Sequence, residues 1–188
     1  MFDINKIFNR VYHSEMRRWS SLMNIGLMYY SRTGNTKKAA ETLNEKLQSH
    51  TEHVETIELL HEKKLGFFGA ARLAMKGEHP PIMNNEVDVN KFDRLIIGTP
   101  VWAGRPAPYV YTFLDHNSLS KEIKTGVFLT SGGSSEKQQK TQEIFKENLM
   151  NYKLKPMAAS LIFQMKKGII KDGTQNIDTF INELLSEK

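Results

Sequence analysis

Cysteine is missing from all 188 residues. That excludes disulfides, thiolate ligation of metals or iron–sulfur clusters and a cysteine nucleophile, and it predicts a reducing compartment, cytoplasmic by default. No apolar run reaches the roughly 18 residues that a membrane-spanning helix needs, so no membrane span is expected. Residues 1–22 also lack the uninterrupted apolar stretch of a secretory signal, because Asp3, Glu15 and three arginines interrupt them. Arginine clusters interleaved with aromatics are absent as well. The net charge of +5 is spread over lysines such as Lys37, Lys38, Lys121, Lys137 and Lys140, which reads as solvated helix faces, and no nucleic-acid partner is expected. The six histidines (His13, His50, His53, His61, His79 and His116) have no ligand-like spacing, and no metal is expected.

What the sequence does contain is a repeated alternation. Short apolar runs are each followed by a polar turn and a helical pattern, as in an α/β doubly wound parallel sheet with helices on both faces. The strands are expected over residues 24–30, 53–59, 94–98, 126–130 and 158–163, the second of them a half-exposed edge and the last starting after Pro156. Helices are expected over residues 35–50 and 135–150, in a segment opened by Pro106, and in a closing stretch whose stripe is Ile177, Phe180, Ile181, Leu184 and Leu185. At this length one well-buried core is expected rather than two, giving an N-terminal extension over 1–22 and one domain over 23–188. The extension reads equally as an amphipathic helix docked on the body or as a leader preceding a true start at Met23. Residues 60–83 form a long connection carrying a short apolar helix around Phe67 and Phe68, either a surface insertion or a lid.

Three loops follow strands at the end of the sheet where open α/β folds bind ligands. The first holds Ser31, Arg32, Thr33, Gly34, Asn35 and Thr36 at a helix start. Free amides, a favourable dipole and hydroxyls converge there as a terminal phosphate requires. Its spacing matches neither a nucleoside-triphosphate loop nor a dinucleotide fingerprint. By itself it is also an ordinary set of capping residues. The second loop is Thr99, Pro100, Val101, Trp102, Ala103, Gly104, in which a tryptophan stands outside any periodic pattern, as a core plug or as a stacking surface. The third is Thr130, Ser131, Gly132, Gly133, bare backbone able to approach a ring edge or to serve as a plain turn.

Taken together, residues 30–36, Y-S-R-T-G-N-T, resemble the phosphate loop of the flavodoxin family, and residues 93–102, D-R-L-I-I-G-T-P-V-W, resemble its second flavin loop. The resemblance runs from Asn24 to the C-terminus. It implies a flavodoxin-like five-stranded sheet in the order 2-1-3-4-5 with non-covalent FMN beside the first and third strands. It assigns the phosphate to Ser31, Thr33, Gly34, Asn35 and Thr36, with Arg32 beside them. Thr99 and Pro100 would line the ribityl chain, Val101 and Trp102 the ring, the peptide at Ala103 and Gly104 flavin N5, and the third loop the pyrimidine edge. Two departures stand out: residues 130–137 carry no aromatic to cover the outer ring face, and the chain is basic where the electron carriers of the family are acidic. An open face would admit a nicotinamide or a quinone; Phe67 and Phe68, or a second subunit in a homodimer, would close it.

The function expected is therefore FMN-based redox chemistry without a catalytic acid or base. It takes the form of electron transfer with a redox partner protein, or of an FMN-dependent NAD(P)H:quinone-type reductase using NAD(P)H plus a small acceptor. A protoporphyrinogen oxidase is a third form within the family, and a flavin-free module binding another phosphate compound is the alternative of a different class.

Overall fold

The computed structural model describes residues 23–51, 53–62, 66–84 and 86–186; the extension expected over 1–22 lies outside the described residues. No described helix is long and apolar enough to cross a membrane. The strands, in chain order, are Ile25–Tyr30 (β1), Val54–Leu59 (β2), Arg94–Trp102 (β3), Arg105–Pro106 (β4), Ile123–Ser131 (β5), Leu154–Lys166 (β6) and Ile169–Asp172 (β7). They form one sheet ordered β2-β1-β3-β5-β6-β7, with β4 paired to β3 alone. The first five along that path run parallel and β7 is antiparallel. Set aside the short β4 and this is the 2-1-3-4-5 order of the flavodoxin-like fold, with one antiparallel strand added.

β1 is buried along its whole length, as an apolar run flanked on both sides by other strands should be. Ile25, Leu27 and Tyr29 enter one core, while Met28 and Tyr30 enter the other, because successive side chains leave a strand on opposite faces. Helices Asn35–Leu47 (α1) and Ile177–Leu185 (α5) cover the first face, and Tyr109–His116 (α3) and Ser135–Met150 (α4) cover the second. On α5 the expected stripe is buried, each such side chain contributing about 1.5–3 kcal/mol through removal from water. Gly98 of β3 exists for space: an added Cβ would lie 2.0 Å from the Phe128 ring.

The structure corrects several boundaries. α1 ends three residues early, at Leu47. β3 continues through Thr99, Pro100, Val101 and Trp102, so these are strand rather than loop, and only Ala103 and Gly104 turn the chain back into β4. Pro106 consequently sits in β4 opposite Val101, and α3 starts at Tyr109 behind Pro108 instead. β6 does not wait for residue 158; it starts at Leu154 and runs through Pro156, because a register shift opposite Thr125 and Val127 absorbs the interruption. Proline is tolerated beside such bulges. Lys146 donates to the carbonyls of Met157 and Ala158 in that stretch. β7 is not foreshadowed in the sequence pattern; Lys167 and Gly168, both at positive φ, turn β6 back into it. In the long connection, Phe67–Lys76 (α2) is the expected apolar helix, and a bridge between His61 and Ile82 ties the ends of the insertion together.

Candidate functional site

The loop after β1 is shaped by its backbone. Gly34, at φ 87°, is the N-cap of α1, a left-handed conformation that costs an L-residue about 1–2 kcal/mol. The N-cap glycine has no side chain to cap α1 and no acidic residue occupies its first turn, so its amino end presents the amides of Asn35 and Thr36 and a positive dipole to an anion. The Lys37 amide donates to Ser31 Oγ at 3.2 Å. Thr33 is exposed and Asn35 half-buried. Thr36 also reaches across the sheet. It is 1% exposed, and its hydroxyl shares a 2.7 Å hydrogen bond with that of Thr130 at the end of β5. The first and third loops are thereby joined, a link between residues far apart in sequence that no local pattern could disclose.

Trp102 ends β3 and pairs with Arg105 across a two-residue hairpin whose turn residues, Ala103 at φ 49° and Gly104 at φ 74°, are both left-handed. Such turns match the natural twist of paired strands but normally take Asn or Gly first; at Ala103 the conformation is strained. The hairpin is held from outside. Thr141, buried on α4, donates to the Gly104 carbonyl at 2.9 Å. Beneath the indole, Tyr30 and Tyr109 stack with ring centroids 4.0 Å apart, and Trp102 stands at 86° to one and 89° to the other. Burial, and then the adjoining Tyr109 hydroxyl, push the Tyr30 phenol far above its ordinary value, so this support stays uncharged. The guanidinium of Arg32 lies over the indole, 5.9 Å from its centroid.

Two grooves meet at Trp102 and share Arg32, Val101 and Ser131. One, of about 160 Å³, runs past Pro100 to Thr33, Asn35 and Thr36 at the amino end of α1, with Thr130, Gly132 and Met165 on its far side. The other, of about 400 Å³, opens beyond the hairpin tip, walled by Ala103, Gly104, Gln138 of α4 and Ala71 of α2. All three predicted loops therefore reach one place. Thr99 does not: it is fully buried, and its hydroxyl accepts from the Ala107 amide at 3.1 Å, pinning the return of the chain into α3. Gly133 stands just behind, its amide donating to Ser131 Oγ at 3.0 Å. Sequence reading missed Gln138, Thr141, Met165 and Ala71, which come from other elements and carry no motif. Phe68, one of the alternatives for closing the outer ring face, is 86% exposed and lines neither groove; the side chain of Phe67 lies outside the described residues.

A parallel α/β sheet in this order, with a phosphate-type loop and a half-buried indole converging at its carboxyl end, defines the flavodoxin-like class of flavin-binding folds. Residues 23–167 match the model of the family described as NADPH-dependent FMN reductase, and the chain belongs to that FMN-binding family. No curated protein matches the sequence. Among solved structures, the chain resembles a protein from Bacteroides eggerthii DSM 20697 described as a flavoprotein (19% identity, 88% of this chain and 99% of that one, TM-score 0.67). It also resembles a flavoprotein in complex with FMN from Lactobacillus acidophilus NCFM (23% identity, 84% and 98%, TM-score 0.63). Oxidised flavodoxin 1 from Bacillus cereus is similar too (15% identity, 88% and 99%, TM-score 0.59). At these identities the likeness is one of fold.

The donor set suits FMN chemically. The amino end of α1 and the adjoining hydroxyl and amide side chains suit a phosphate monoester. Gln138 Oε1, at the groove beside Trp102, is buried and has no hydrogen-bond partner among the described residues, an acceptor suited to the imide edge of a flavin.

Proposed function

We propose that the joined grooves hold one FMN and that the chain uses it to oxidise NAD(P)H and reduce a small acceptor such as free flavin or a quinone. Bound there, FMN would supply hydride acceptance and onward electron transfer. Binding, orientation and exclusion of water fall to the chain. Ser31, Arg32, Thr33, Gly34, Asn35 and Thr36 hold the phosphate at the amino end of α1. Pro100 and Val101 flank the ribityl chain, with Thr99 fixing their position from behind. Trp102 gives the ring an apolar wall and excludes water from it. The peptide of Ala103 and Gly104 would serve the N5 side of the ring, while Thr130, Ser131, Gly132 and Gly133, with Gln138, would serve its polar edge.

One observation carries this reading: the groove that ends at the amino end of α1 and the groove open past the hairpin tip share the same indole. The third loop brings no aromatic to close the outer side, which leaves an approach for a nicotinamide, and the family description, which names NADPH, supports that donor. The test is steady-state oxidation of NADPH and NADH by the full-length, FMN-loaded protein with added FMN or a quinone. Turnover is expected, and Trp102→Ala should loosen FMN roughly 30- to 100-fold, the worth of one large apolar contact. A protein that takes up no FMN would sink the reading. FMN uptake without turnover on either nicotinamide would redirect it to an electron carrier with a protein partner.

A further inference from the structure

Beside the hairpin lies a cavity of about 280 Å³ that shares no lining residue with the two grooves at Trp102. It is framed by α2, β4, α3 and α4. Its size sits just below the roughly 300–1,000 Å³ typical of small-molecule sites, which suits a small ligand. One wall is aromatic: His79, Tyr111 and Tyr152 line the cavity with nearly parallel rings, His79 to Tyr111 at 5.7 Å and 26°, Tyr111 to Tyr152 at 6.3 Å and 15°. Ile144, Pro106 and Pro108 add apolar surface.

The polar groups are sorted by charge. Asp115, beside the cavity, is already engaged, bonded to His79 Nδ1 and accepting from the Tyr152 hydroxyl at 3.0 Å. The Tyr111 hydroxyl accepts from Asn148 at 3.1 Å. Arg105 lines the same cavity and forms no ion pair with any described carboxylate. The cavity thus offers the border of an aromatic stack, neutral amides and the exposed guanidinium of Arg105.

We propose that this cavity is a second binding site, distinct from the flavin grooves, for a small planar aromatic carboxylate of one or two rings. The ring packs along Tyr111 and Tyr152 against Ile144, in the offset geometry that aromatic pairs favour. The carboxylate meets the Arg105 fork, whose paired donors match its two oxygens. A single cation calls for a monoanion, not a phosphate dianion. Because Arg105 of β4 pairs with Trp102 of β3 across the hairpin, the occupant would rest on the strand paired with the one that carries a wall of the flavin grooves.

The test is an NMR titration of the full-length, FMN-saturated protein with 2-naphthoate and its neutral counterpart, 2-naphthamide. Saturable shifts are expected at the amides of Tyr111, Asn148 and Tyr152 at submillimolar naphthoate, with naphthamide at least tenfold weaker. Arg105→Gln should weaken naphthoate about tenfold or more, and Ile144→Trp, which fills the cavity, should abolish binding in a protein that still takes up FMN. The proposal is overturned by an absence of saturable shifts up to several millimolar. Equal affinity for acid and amide, unchanged affinity in either variant, or shifts confined to residues 31–36 and 102 would overturn it equally.

Discussion

The loop after β1 and the hairpin that ends β3 border the same groove, yet they are built in opposite ways. The first is a product of its own sequence: one glycine at positive φ as the N-cap, and a nearby serine hydroxyl that takes up the Lys37 amide. The second is held in place by distant residues. Its turn is strained at Ala103, and it stays where it is because Thr141 grips the Gly104 carbonyl and because Tyr30 and Tyr109 brace the indole. A phosphate needs only amides and hydroxyls at a helix end, which local sequence can specify. A flat ring needs a wall at a set angle, which only packing can provide.

Substitutions can break that contrast or sharpen it. The largest effect is expected at the buried hydroxyl bond that ties the first loop to β5. Thr36→Val strands the hydroxyl of Thr130, which is 3% exposed, and should cost about 1–3 kcal/mol in urea denaturation. Adding Thr130→Val should recover part of this, and a coupling below a few tenths of a kcal/mol would show that the two loops are independent. Thr141→Val comes next, at about 0.5–1.5 kcal/mol, since the exposed Gly104 can turn its carbonyl to water; FMN affinity should fall severalfold with it. Unchanged affinity would mean that the hairpin keeps its place without the bond.

Ala103→Gly should raise stability by up to about 1 kcal/mol, the relief of a left-handed alanine less the entropy that glycine loses on folding. Tyr152→Phe is the control outside both loops. Burial, then the hydrogen bond to Asp115, push the Tyr152 phenol up from its ordinary value near 10 to about 12. The stability this contributes is fully present below pH 10. It is lost between pH 10 and 12, where the unfolded phenol ionises and the folded one keeps its proton. The phenylalanine variant should show a shallower loss over that window, measured as the denaturation midpoint against pH.

The same division explains what the sequence disclosed. β1 and α5 were legible because every residue of the strand is apolar or small and the helix stripe is unbroken. The end of β3 was not, because Pro100 reads as a break whereas the strand in fact continues through it into a hairpin. Nor was β7, whose turn is Lys167 and Gly168 rather than a recognisable Asn-Gly pair. At the site, the motifs supplied Arg32, Thr33, Asn35 and Trp102, while Gln138 and Thr141 were hidden on a helix that reads as plain amphipathic surface.

The sequence alone determined the alternation of strands and helices, the phosphate-type loop and the flavin-type tryptophan, because periodicity, a left-handed glycine and a helix start are properties of neighbouring residues. Only the tertiary structure decided that Thr36 bonds Thr130, that Thr99 turns inward, that Trp102 stands upright on two stacked tyrosines and that Arg105 faces a separate cavity. Those depend on which distant surfaces come within a few ångströms, and close packing, not local preference, settles that.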